Sequence, residues 1–183
     1  MRRVVATEYM TLDGVMESPN KWSFQFWNEE AARFKLDELF ASDALLLGRV
    51  TYEGFAAAWP SMTDEAGFAD RMNSLPKYVV SSTLDGLTWN NSRLIKGDIA
   101  NAVSQLKQES GEDILLAGSA DLLNTLREHD LVDEYRIMLY PIIVGSGKRL
   151  FTDVTDTTAL KLVDTKRFTS GVLVLCYEPT SRA

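Results

Sequence analysis

The 183 residues are 45% hydrophobic and 25% charged, proportions of one globular domain, over residues 1–183, with a sizeable core. A net charge of −7 argues against nucleic-acid backbones and anionic membrane surfaces as partners. The lone cysteine, Cys176, excludes an intrachain disulfide.

In chain order, residues 2–9 read as a first strand. Its basic start, Met1-Arg2-Arg3, is followed by too short an apolar run for a secretion signal, because Glu8 interrupts it. No apolar run approaches the roughly 20 residues of a membrane span, so a cytoplasmic protein is expected. Residues 10–28 carry turn punctuation at Asp13-Gly14 and Ser18-Pro19-Asn20, with aromatic residues between. The spacing over 29–41 predicts a helix with Ala32, Leu36, Leu39 and Phe40 inward and Glu29 and Glu30 in its first turn. Residues 44–47 read as a buried strand, with a helix from about 51, and 60–75 as a polar, glycine-broken excursion. Strands follow at 77–81 and 92–95, then a helix over 98–109 with Ile99, Ala102, Val103 and Leu106 inward. Residues 114–117 are continuously apolar, as in the middle of a parallel sheet. A helix over 119–129 puts Leu122, Leu123 and Leu126 inward, with Ser119 as its expected cap. Strands at 133–143, 159–168 and 171–178 close the chain around a turn region at 148–151. This order predicts an α/β fold: a mostly parallel sheet, helices on its faces and an antiparallel C-terminal hairpin at one edge.

Ligands of open α/β sheets sit beyond the carboxyl ends of the strands. Three strand ends here are chemically unusual. At the first, Gly48 permits close backbone approach, Arg49 offers a bidentate fork for phosphate and Thr51 a hydroxyl at a helix start. At the second, Ser81-Ser82-Thr83 gives three successive hydroxyls. At the third, in Ala117-Gly118-Ser119, the glycine would let a helix start approach a pyrophosphate. A dinucleotide laid along the sheet edge would use all three, with Leu122 on the inner face of the helix that follows.

The segments LLLGRVTYEGF, KYVVSSTL, the stretch from Asp113 to Phe151 and the closing RFTSGVLVLCYEP together resemble the dihydrofolate-reductase-like family. Within it they are most similar to the reductase domain of riboflavin biosynthesis and its stand-alone relatives. The resemblance runs from ATEYMTLDG to LCYEP and is most specific at Asp133-Glu134, Pro141, Gly145 and Phe151. It implies a three-layer fold, an NADPH-dependent reductase and a homodimer. It assigns Gly48, Arg49 and Thr51 to the cofactor's phosphates, Ser81 and Ser82 to the 2′-phosphate side, and Ala117, Gly118 and Ser119 to the pyrophosphate. Where the family has two glycines, this chain has Ala117-Gly118. The acid of the folate-reducing enzymes has no counterpart, since the matching position falls near Ala32. The substrate of the riboflavin-pathway enzymes, a phosphoribosylaminouracil, calls for basic residues, and residues 10–30 offer only Lys21.

The resulting expectation is hydride transfer to a small heterocyclic or carbonyl substrate, with a pterin reductase or a non-catalytic NADPH-binding dimer as alternatives. Asp13 is the leading catalytic and substrate-binding candidate, with Glu17 and Glu30 in reserve. Trp22, Phe24, Phe26 and Trp27 are candidates for the apolar wall of the pocket. The glycine–serine–glycine run at Gly145 lacks phosphate-loop spacing and is expected to form a turn lining the pocket. His129, the only histidine, falls at a helix end, and Cys176 in an apolar strand. With one of each, far apart, neither a metal site nor a Cys–His nucleophile is expected.

Overall fold

A computed structural model describes residues 1–152 and 157–180. Among these residues, eight strands form one sheet: β1 (Val4–Thr11), β2 (Ser42–Gly48), β3 (Lys77–Val80), β4 (Ser92–Ile95), β5 (Asp113–Ala117), β6 (Glu134–Tyr140), β7 (Leu160–Arg167) and β8 (Leu173–Pro179). Their order across the sheet is β4-β3-β2-β5-β1-β6-β8-β7. The first six are mutually parallel; β8 runs antiparallel to both β6 and β7. The apolar run of β5 lies between β1 and β2, with Ile114, Leu115 and Leu116 buried. β6 stops at Pro141, which has no N–H to continue a ladder.

Among the described residues, five α-helices flank the sheet: α1 (Glu29–Phe40), α2 (Arg49–Ala58), α3 (Phe68–Ser74), α4 (Ile99–Gln108) and α5 (Ala120–Glu128). Val103 and Leu106 of α4 pack with Leu122, Leu123 and Leu126 of α5 in one core cluster. Leu39 of α1, Tyr52 of α2 and Met72 of α3 belong to a second, built on Val5, Leu45 and Leu47. A third, around Trp22, Tyr140 and Val174, lies under the start of α1. No described helix is long and apolar enough to cross a membrane.

Two local expectations are corrected. The excursion at 60–75 contains α3, whose start is fixed by Asp64 accepting from the N–H groups of Phe68 (2.9 Å) and Ala69 (2.6 Å). The buried residues of α1 are Ala31, Glu38 and Leu39, while Ala32 and Phe40 are exposed. The helix therefore turns charged residues inward, for a reason that the site supplies.

Candidate functional site

A cleft of about 1530 Å³ opens at the carboxyl ends of β1 to β5. Gly48, Arg49, Thr51, Ser81, Ser82, Ala117, Gly118, Ser119 and Leu122 all line it. The β2 and β5 junctions touch: the Gly48 N–H donates to Ser119 Oγ (2.8 Å), and that hydroxyl donates to the Ala117 carbonyl (3.0 Å). Ser119 thus spans two strand ends, and its side chain does not cap α5, contrary to expectation. Both Gly118 (φ 54°) and Ser119 (φ 63°) are left-handed. A Cβ at Gly118 would stand 3.1 Å from Thr51 Oγ1, and one at Gly48 would stand 3.3 Å from Ser119 Cβ.

The helices differ in their caps. Asn28 and Asp98 cap α1 and α4 through hydrogen bonds of 3.0 Å, and Asp64 serves α3. Phe68 of α3 and Ile99 of α4 also line the cleft, but α2 and α5, which start beside Gly48 and Ser119, have no side-chain cap. Their first-turn N–H groups are left for an external acceptor. Arg49 stands at the start of α2, paired with Glu53 at 2.9 Å. Ser81 Oγ closes its own turn, accepting from the N–H groups of Thr83 (3.2 Å) and Leu84 (3.1 Å), and Ser82 is exposed. Lys96 and Gly97, after β4, add a fourth junction that the sequence reading missed.

The opposite end is walled by Thr7, Glu8 and Tyr9 of β1, Lys35 and Glu38 of α1, and Met16 to Asn20. Glu38, 3% exposed, accepts from the Thr7 hydroxyl (2.9 Å) and from Lys35, and Arg136 lies 3.6 Å away. Lys35 also donates to Thr7 Oγ1 (2.8 Å). Glu8 is 1% exposed, and neither of its carboxyl oxygens has a hydrogen-bond partner. Burial pushes its carboxyl well above the ordinary range; Lys35 opposes this and Glu38 adds to it. The sequence carried a cue: a glutamate inside a strand with neighbours on both sides has to be explained.

Of the expected substrate residues, Glu17 lines the cleft and Asp13, Trp22, Phe26, Trp27 and Gly145 do not. Asp13 staples two loops. Its carboxylate accepts from the Thr11 hydroxyl (2.6 Å), Gly145 N–H (2.8 Å) and Val144 N–H (3.3 Å), and the first two hold its pKa down to about 2. Arg149 donates to its carbonyl. Trp22 and Phe26 pack edge-on against Tyr140 at 5.2 and 5.9 Å, inside the core, and Trp27 is surface-exposed. Phe24, 69% exposed, is the aromatic residue of that stretch that reaches the cleft. Glu30 lies elsewhere, accepting from the Thr169 N–H (2.7 Å) and hydroxyl.

The arrangement has known relatives. The chain is 33% identical to the uncharacterized protein YyaP of Bacillus subtilis (strain 168) over 182 residues, 96% of this chain and 94% of that one. Its fold matches a putative riboflavin biosynthesis protein from Shewanella sp. PV-4 with a TM-score of 0.78 at 18% identity, covering 97% and 99% of the two chains. Dihydrofolate reductase from Enterococcus faecalis, solved with NADP(H), superposes with a TM-score of 0.61 at 13% identity over 98% of this chain and 97% of that one. The architecture is dihydrofolate-reductase-like. Residues 2–174 match the RibD C-terminal domain, and the chain belongs to that family.

Proposed function

We propose that the protein is a cytoplasmic NADPH-dependent oxidoreductase that reduces a small heterocyclic or carbonyl substrate and works as a homodimer. The observation that carries this reading is the meeting of two uncapped helix starts at one cleft, beside Gly48 and Gly118, where added Cβ atoms would crowd the junction. A helix N-terminus carries roughly half a positive charge and free N–H groups, which suits phosphate even in an acidic protein. The N–H groups of Arg49, Val50, Thr51 and of the α5 start would hold the phosphates, Thr51 and Ser119 would add hydroxyls, and Arg49, Ser82 and Lys96 would face the 2′-phosphate.

A reduced nicotinamide, when bound, supplies the hydride. The chain supplies position, water exclusion and a proton. The β1–α1 end of the cleft, walled by Tyr9, Met16, Phe24 and Leu39, would hold the substrate. A single buried thiol, Cys176, is consistent with a reducing compartment.

Titration with NADPH while following nicotinamide fluorescence tests the reading. Saturable enhancement with one site per chain is expected; no binding at millimolar NADPH would sink it. Tight binding with no oxidation by any pteridine, pyrimidine or quinone would point to a binding module without chemistry.

A further inference from the structure

The mechanism needs a proton, and Asp13 is poorly suited to give one: its carboxylate is held acidic by the Thr11 hydroxyl and by the Gly145 N–H of another loop, and it lies off the cleft. Glu8 has the opposite properties. It lines the cleft, it is almost completely buried, and both its oxygens are unpartnered. Its neighbour Glu38 is better provided for: one oxygen accepts from Thr7 and Lys35, and the other, though without a hydrogen bond, lies 3.6 Å from Arg136. A buried carboxyl with no such partners costs stability, and such orphans call for an explanation in a ligand or in chemistry.

We propose that Glu8 is the catalytic acid: a carboxylic acid facing the cleft that donates its proton to the heteroatom of the bond being reduced. This rests on the reductase reading above. In the step, the substrate carbon of a C=N or C=O bond gains a C–H bond, taking the hydrogen and both its electrons from the reduced nicotinamide, which is oxidised. The π pair moves onto the heteroatom, the Glu8 O–H bond breaks, and its proton forms the new N–H or O–H bond. Glu8 is left as a carboxylate, a charge that the field of the Lys35 ammonium favours, until solvent returns a proton after product leaves.

The charged surroundings allow this cycle. From α1, Lys35 favours the carboxylate and Glu38 opposes it, with burial dominant. Arg136 of β6 reaches Glu38, and Glu17 and Lys148 stand at the rim, where the Lys148 N–H donates to Glu17 at 3.0 Å. The lysines lining this end are already paired, Lys35 with Glu38 and Lys148 with Asp121 (2.7 Å). Among the described residues it therefore offers no free cation to a phosphate, and the substrate it suits is an uncharged conjugated heterocycle or carbonyl compound.

Two measurements decide the matter. Dicyclohexylcarbodiimide, an apolar reagent that adds to protonated carboxylic acids, should modify Glu8 of the unliganded protein at pH 7, as located by mass spectrometry. The rate should fall as pH rises, and the modification should be absent from Glu8→Gln. Failure to label Glu8 would overturn the proposal. With NADPH and a dihydropteridine, diaminopyrimidine or quinone acceptor, Glu8→Gln should lose at least ~100-fold in kcat, with NADPH affinity within twofold of the parent. Glu8→Asp should recover part of the loss, and the parent's decline in kcat at high pH should vanish in Glu8→Gln. Equal turnover and an unchanged pH profile in Glu8→Gln would also overturn it. If NADPH does not bind, or none of these acceptors is reduced, the reductase reading falls, while the carbodiimide result still decides whether Glu8 is a protonated acid open to the cleft.

Discussion

Gly118 shows how much a single backbone position contributes to the cleft. Its left-handed φ of 54° is costly for any residue with a side chain, and the space where a Cβ would go is bounded by Thr51 Oγ1. Gly118→Ala is expected to lower the unfolding free energy by about 1–2 kcal/mol, the usual cost of that conformation, and to weaken NADPH binding. Urea denaturation and fluorescence titration would measure the two effects; a change in neither would show that the junction relaxes freely. Arg49→Ala should leave stability nearly unchanged, since the Arg49–Glu53 pair lies on the surface. It should narrow any preference for NADPH over NADH roughly tenfold or more, because a charge-assisted contact contributes about 1.5–3 kcal/mol. Equal Kd ratios for parent and variant would remove Arg49 from the site. At this scale the sequence is readable where chemistry and backbone coincide, as at Gly48, Arg49 and Gly118. It is less so where one residue type fits two roles. Asp13-Gly14 is a turn signal and Asp13 is a loop staple, while the exposed glutamates of α1 and the buried Glu8 look alike until the neighbours of β1 are known.

Elements respond as units when a charged group is built into their packing. Lys77, the first residue of β3, is fully buried, with its ammonium donating to the carbonyls of Asn73 (2.6 Å) and Asn90 (3.2 Å) and lying 4.1 Å from the centre of the Trp89 ring. It ties the end of α3 to the approach to β4. Burial lowers its pKa from 10.5 to about 8. Between those values the unfolded chain binds more protons than the folded one, so this group makes stability rise with pH from about 8 to 10.5. Urea midpoints across that range should climb in the parent relative to Lys77→Met; parallel curves would mean that the ammonium keeps its charge. Element positions were legible from periodicity and turn residues, but the inward face of α1 was not. Apolar spacing selects Leu39, which is buried, but also Ala32 and Phe40, which are exposed, whereas the cleft needs Lys35 and Glu38 on the inner side. A helix that lines a polar cavity breaks the rule that the apolar stripe faces in.

For the molecule as a whole, β7 is the exposed edge of the sheet, and every one of its eight residues is exposed, Leu160, Leu162 and Val163 among them. Bare edges of this kind invite pairing with another chain. A dimer joined through the C-terminal strands should sediment at twice the chain mass, and Leu162→Lys should shift it toward monomer without unfolding it. A parent that sediments as a monomer at micromolar concentration would rule that assembly out. The antiparallel C-terminal hairpin was readable because two short strands follow closely around Phe168 to Gly171. The side-by-side order of the six parallel strands was set by long-range register that no local pattern encodes.

The strand order has a kinetic side. β8 follows β7 along the chain yet lies between β7 and β6, so β7 is made before β8, its neighbour in the sheet. Until β8 arrives, β6 is an open ledge carrying Met138 and Tyr140 of the third core cluster, and β7 is a loose tail. Released chains truncated after Arg167 should therefore be more prone than the full chain to capture by chaperones or by each other.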